Sequence, residues 1–230
     1  HPHLVTALGK LTNVPGGRAG LVFPFITSEY QNLGNPPSFE SCTRDTYSEG
    51  TAFAASVIVA IAHNIASAVA HLHANGIMHG DLYAHNILVN EKGNSILGDF
   101  GAASFYDRTD TAMAQQMERL EMRAFGCLLE DLLDRYLPSP QTDVPQAPAS
   151  PSPTLHAPAP QSPDRLSDRR SPIDSSSETQ PRNDDKNLEQ EHRTITILRQ
   201  LQHDCLQPTP INRPKFAQVC NILDALRRQG

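Results

Sequence analysis

Residues 51–72 make an almost unbroken apolar run, and any fold open to this chain has to shelter it. A membrane span and a helix buried on all sides are the two arrangements that suit such a run. Ser56, His63, Asn64, Ser67 and His71 interrupt it, whereas a span needs about 20 predominantly apolar residues. The interruptions favour a core helix, predicted from 51 to about 74 and stopped by Asn75-Gly76 in the manner of a C-cap. No membrane span is expected.

Shorter elements surround this helix. Apolar runs at 4–11 and 20–26 flank the turn signal Asn13-Val14-Pro15-Gly16-Gly17, which predicts two strands and a loop. Residues 32–50, rich in Pro, Gly, Asn and Ser, read as loop with room for a short helix. Ile87-Leu88-Val89 and Ser95-Ile96-Leu97 are predicted strands joined by the turn Glu91-Lys92-Gly93-Asn94. Met122, Phe125, Leu129, Leu132 and Leu133 fall on one face of a helix over 118–136. Ile195, Leu198, Leu201 and Cys205 do the same over 191–206, and a final helix is predicted over 215–228.

Residues 138–190 differ in kind. Eleven of the 19 prolines lie there with no aromatic residue, so the stretch cannot bury enough apolar surface to offset its ordering entropy. It is predicted to be a disordered insertion, because residues 191–230 are too few to make a domain of their own. Its Ser-Pro pairs, such as Ser150-Pro151 and Ser162-Pro163, read as solvated spacer. The alternative is phosphosites or ligands for proline-reading adaptor modules.

The net charge of -6, with no Lys/Arg run, excludes the cationic footprint that a nucleic-acid partner requires. Cys42, Cys127, Cys205 and Cys220 form no CxxC, and the absence of a signal peptide completes the expectation of a reduced, cytoplasmic setting.

The chemistry concentrates in His79-Gly80-Asp81-Leu82-Tyr83-Ala84-His85-Asn86 and in Asp99-Phe100-Gly101, thirteen positions beyond Asn86. Asn86 begins the predicted hairpin and Asp99 ends it, so the two should meet. An amide and a carboxylate converging on one point suit Mg²⁺, which takes oxygen ligands and keeps waters for bound phosphates. Asp81 would orient a hydroxyl nucleophile or accept its proton. Phosphoryl transfer needs mainly positioning and charge neutralisation, which this inventory supplies.

These residues resemble the catalytic loop HRDLxxxN and the DFG of protein kinases. Leu72 to Met78 looks like the end of the kinase helix leading into that loop, and His1-Pro2-His3-Leu4-Val5 like the lead into the fourth N-lobe strand. Leu21-Val22-Phe23-Pro24-Phe25 is similar to the strand before the hinge, with Phe23 near the gatekeeper position. Glu121 to Gly126 is similar to the DxWSxG helix, and Asn212-Arg213-Pro214 to the closing C-lobe pattern. The whole also looks like kinase domains appended to leucine-rich repeats in bacterial proteins, although no such repeat is present.

The resemblance implies an α+β, kinase-like fold in four parts. Residues 1–27 would be a remnant of N-lobe strands and hinge, 28–137 the first part of a mainly helical C-lobe, 138–190 the insertion and 191–230 the terminal helices. It further implies ATP and Mg²⁺ as cofactors and a protein substrate. Asp81 would be the catalytic base, with Asn86 sharing the catalytic role. Asn86 and Asp99 would hold Mg²⁺. Phe23, Phe25, Leu88 and Asp99 would line the nucleotide site. His79 would brace the loop, and Gly101 would permit the turn after Phe100. The Gly-rich loop, strand Lys and helix Glu that contact ATP phosphates in kinases are expected upstream of His1.

Departures qualify this. Gly80 replaces the Arg that commonly reads a phosphorylated activation loop. Tyr83 replaces the Lys usual in Ser/Thr kinases, leaving acceptor preference open. No Ala-Pro-Glu is present, so the peptide platform is expected to be poorly formed, with Glu118 standing in as the partner of Arg213. A pseudokinase scaffold and an aminoglycoside-type small-molecule phosphotransferase are the alternative readings.

Overall fold

The apolar run becomes helix α1, Ala55–Ala74, in a computed structural model that describes residues 1–40, 44–139 and 183–229. Ile58, Ile61, Ile65 and Val69 are wholly buried, and Ala62, Ala66 and Ala68 let neighbours approach closely. By length and composition alone α1 is apolar enough to cross a membrane. However, 61% of its apolar window is covered by this chain's own elements, as befits a core helix.

The polar residues that interrupt the run dock other elements onto α1. Asn64, buried, donates from Nδ2 to Gly93 O at 3.2 Å. Gly93 has φ +78°, and a Cβ there would meet Ala60 Cβ at 2.9 Å, so only glycine lets the turn sit this close. That turn joins β5 (Ile87–Val89) to β6 (Ser95–Leu97), so the hairpin is pinned to α1 at its tip. His63 places Nε2 2.8 Å from Asp224, tying α1 to the last helix, α4 (Phe216–Arg227).

The strands are short. β1 (Gly9–Leu11) and β2 (Gly20–Val22) pair antiparallel but expose nearly all their residues. β3 (Gln31–Asn32) pairs with β5, and β4 (Ile77–Met78) with β7 (Ser104–Phe105). The strand expected over 4–11 is confined to Gly9–Leu11. Leu4 instead bridges Leu97, with Val5 N–H donating to Leu97 O at 2.9 Å, so β6 draws this segment away from the hairpin. No helix forms among the described residues of 32–50; Asn35 and Thr46 pair there as an isolated bridge.

Helix α2 spans Thr111–Leu133, starting earlier than its apolar stripe indicates because Asp110 Oδ1 accepts the Met113 N–H at 3.0 Å and caps it. Helix α3, Asn183–Cys205, begins inside the stretch expected to be disordered; residues 140–182 of that stretch lie outside the described residues. Phe125, Leu129 and Leu132 of α2 meet Leu198 and Cys205 of α3 and Phe216 of α4 in one core. Burial pushes the Cys205 thiol up to about 12.

Gly126 marks the closest approach of α2 to the end of α3: an added Cβ would lie 2.9 Å from Cys205 Cβ and 2.8 Å from Leu206 Cδ2. Gly126→Val is expected to lower stability by about 2 kcal/mol through overpacking, read as a lower urea midpoint at unchanged m-value.

Candidate active site

The loop after α1 is irregular backbone inside a packed core, so its amides need partners that no helix or strand supplies. Glu121, 2% exposed and projecting from α2, provides them. Its Oε1 accepts the Gly80 N–H at 2.8 Å and its Oε2 the His79 N–H at 3.2 Å. The His73 ring, buried at the end of α1, stacks on Phe216 and sets Nε2 2.9 Å from the same Oε2, out of line for a hydrogen bond. Its Nδ1 lies 2.8 Å from the Tyr106 hydroxyl. Burial raises the Tyr106 phenol above its ordinary value.

His79 is fully buried beneath the loop. Its Nε2 bonds Gly98 O at 2.7 Å, which makes Nε2 the protonated nitrogen and leaves Nδ1 to accept the Asp81 N–H at 3.3 Å. One imidazole therefore links the residue before Asp99 to Asp81. The expected role of His79, bracing the loop from beneath, matches these contacts.

Residues 84–86 form a single 3-10 turn that delivers Asn86 next to Asp81. The Asn86 amide nitrogen donates twice, to Asp81 O and to Asp81 Oδ2, each at 2.9 Å. With both N–H groups spent, the Asn86 carbonyl oxygen is its remaining ligand atom. Across the hairpin, Gly98 N–H donates to Asn86 O at 2.9 Å, so Asp99 leaves the ladder one residue past the partner of Asn86.

Asp99 is exposed and left-handed, with φ +50° and ψ +79°, a conformation uncommon outside glycine but accessible to Asp. Its Oδ1 accepts the Gly101 N–H at 3.1 Å, turning the chain as expected after Phe100. The Phe100 and His79 rings meet in a T-shaped contact with centroids 5.1 Å apart. Among the described residues no cluster of three or more His, Cys, Asp or Glu is built to hold a metal. The oxygen donors of Asn86 and Asp99 fit a hard cation that takes few protein ligands and completes its shell with phosphate and water.

Gly80 is more than a missing arginine. It has φ +80°, and a Cβ there would stand 2.6 Å from Ala102 O. The segment after Asp99 occupies the space that a side chain at position 80 would need.

Of the remaining predicted residues, Leu88 sits mid-strand in β5 opposite Ile96, half-buried, while its neighbours Ile87 and Val89 face the core. Phe23 follows β2 and is 47% exposed; Phe25 is 91% exposed. The expected Glu118–Arg213 pair does not form. Glu118 Oε1 accepts the Phe216 N–H at 2.9 Å, and the Arg213 guanidinium donates to Gln207 O, Pro208 O and Arg119 O. Backbone groups at the start of α4, in the loop before it and in α2 take both side chains in place of the opposite charge.

One pair went unread in the sequence. Asp45, buried, accepts the His85 N–H at Oδ2 (3.0 Å) and meets the His85 ring Nδ1 at Oδ1 (2.7 Å). Beside it lies a cavity of about 130 Å³ between the catalytic-type loop and α2, bordered by Arg44, Tyr83, Cys127 and Asp131. Burial raises the Asp131 carboxyl, against the opposing pull of Arg44.

Comparison with known proteins supplies a family. The model of the protein kinase domain matches residues 24–222. The "Probable CTD kinase subunit alpha homolog" of Encephalitozoon cuniculi is 32% identical over 109 residues, which cover 47% of this chain and 29% of that protein. A "Probable serine/threonine-protein kinase" of Arabidopsis thaliana is 26% identical over 106 residues, 46% of this chain and 13% of that protein. The serine/threonine-protein kinase US3 of human herpesvirus 2 is 44% identical over 48 residues, 21% of this chain and 10% of that protein. The matched stretches thus span less than a third of these relatives' own lengths.

Glu121→Ala would leave the two loop amides without their shared acceptor. It is expected to cost about 3 kcal/mol of stability, measured by denaturant unfolding, since removing one partner strands buried polar groups.

Proposed function

Because the chain belongs to the protein kinase domain family, matched over residues 24–222, we propose that it transfers the γ-phosphoryl group of ATP to a protein hydroxyl. Asp81 is the catalytic base, and Asn86 and Asp99 are the protein ligands of Mg²⁺. The observation that carries this reading is the double donation from the Asn86 amide to Asp81, which couples the base to one of the metal-binding oxygens through a single side chain.

In the reaction the acceptor oxygen bonds to the γ-phosphorus as the bond to the β-phosphate oxygen breaks, and ADP departs. The hydroxyl proton passes to the Asp81 carboxylate. The metal, when bound, neutralises charge on the phosphate oxygens. Asn86 holds the Asp81 carboxylate in one orientation, and the buried His79–Gly98 bond holds the Asp81 and Asp99 segments in register. Leu88, Phe23 and Phe25 are assigned to the apolar base of the nucleotide. The serine/threonine kinases among the relatives support a Ser or Thr acceptor.

A nucleotide-binding scaffold is the second reading. It is favoured by Gly80, which has no room for a phosphate-reading side chain, and by Arg213, whose guanidinium is committed to backbone carbonyls.

In the full-length protein, Asp81→Asn is expected to lower kcat by about 10²–10⁴-fold, the range for loss of a general base, with nucleotide affinity little changed. Transfer of labelled phosphate to protein checks this, with Asp99→Asn expected to raise the Mg²⁺ concentration required. Equal incorporation by wild type and both variants would end the kinase reading.

A further inference from the structure

We propose that Asp45 is a positioning residue for phosphoryl transfer, acting through His85 on the turn that carries Asn86. The proposal rests on the roles assigned above to Asp81 and Asn86.

Asp45 lies 40 positions before His85, in the segment preceding α1, and its side chain is 1% exposed. A buried carboxylate is costly unless its oxygens are satisfied. Both oxygens of Asp45 go to one residue: Oδ2 to the His85 N–H and Oδ1 to the ring Nδ1. The first bond fixes the backbone of the 3-10 turn and the second fixes its side chain. The ring then stacks on Tyr83 at 5.6 Å and 22°, while Tyr83 O accepts the Asn86 N–H at 3.1 Å. Tyr83, His85 and Asn86 are thereby held as one unit from below.

Asp45 is itself immobilised on both sides. Arg44 forms ion pairs with Glu130 and Asp131 on α2. Thr46 exchanges two backbone bonds with Asn35, at 2.8 and 2.9 Å. Next along, Tyr47 lies under the Arg135 guanidinium, 3.6 Å from its ring centroid. Four consecutive residues thus grip the end of α2, the turn, residue 35 and the residues just past α2. The Asp45 carboxylate carries two hydrogen bonds from that segment directly onto His85 of the turn. A shift of the turn would displace the Asn86 oxygen and loosen its hold on Asp81 together. Misplacement by about 1 Å can cost about 10²-fold in rate.

The test compares wild type, Asp45→Ala, Asp45→Asn and His85→Ala in the full-length protein. Asp45→Ala is expected to lower kcat by roughly 30- to 100-fold while KM for ATP stays within about 2-fold, the pattern of lost geometry rather than lost binding. Asp45→Asn keeps one acceptor for the His85 amide and is expected to recover most of kcat. The Asp45→Ala/His85→Ala double variant should lose no more than the worse single one, as coupled residues do. Amide hydrogen exchange should accelerate at 83–87 in Asp45→Ala but not in α1 or α2. Should Asp45→Ala fail to fold, His85→Ala probes the same clamp from its other end, with kcat expected to fall. An unchanged kcat, a rise in KM alone, or unchanged exchange at 83–87 would overturn the proposal. A wild-type protein that transfers no phosphate would instead overturn the kinase reading, and the exchange result would still decide whether Asp45 holds the turn.

Discussion

One carboxylate, buried where α2 passes beneath the loop, allows this fold to keep irregular backbone at its centre. Glu121 accepts the amides of His79 and Gly80 and stands 2.9 Å from the ring nitrogen of His73, so the loop and the end of α1 meet at one carboxylate. Buried polar groups of this kind are stable only as a complete set. With the loop amides satisfied from below, the chain above is free to turn sharply, and the Asp81 carboxylate is held by the Asn86 amide. The core helix, the hairpin and α2 all converge on this point.

Position depends on two further close approaches in which glycine is obligatory. Gly93 seats the hairpin tip on α1, which fixes the strand carrying Asn86 relative to the helix that leads into the loop. Gly80 admits the carbonyl of Ala102, which lets the segment after Asp99 fold back against the loop. The His79 ring closes the arrangement by bonding Gly98 on one side and Asp81 on the other. Asp81, Asn86 and Asp99 are therefore referred to one another through backbone and imidazole bonds, and the left-handed Asp99 is the single non-glycine residue that holds an uncommon conformation at this site.

Much of this is legible in the sequence. The polar interruptions of the apolar run point to a core helix, which its burial among the chain's own elements supports, and Asn64 proves to be a docking contact. The hairpin is readable from its turn chemistry, and the buried faces of α2 and α3 from their spacing, with Phe125, Leu129 and Leu198 all fully buried. Boundaries are less legible. Asp110 ahead of Ala112, Met113 and Ala114 is the local signal for the true start of α2. The polar residues opening α3 carry no apolar periodicity, and they are helical because a packed helix propagates outward from its ordered part. The Asp45–His85 contact leaves no trace in the sequence, since it joins a loop rich in turn formers to a residue 40 positions away. Glu118 and Arg213 have the right charges to pair, but backbone donors and acceptors take both side chains.

The central claim is that Asn86 and Asp99 direct their oxygens to one metal ion beside Asp81. Mn²⁺ substituted for Mg²⁺ in the full-length protein with ATP tests it most directly, through paramagnetic broadening of backbone amide resonances. The account predicts strongest broadening at residues 86 and 99, weaker at 81, and none along α3 or α4. Equal broadening across the acidic surface, or broadening that spares either 86 or 99, would contradict it.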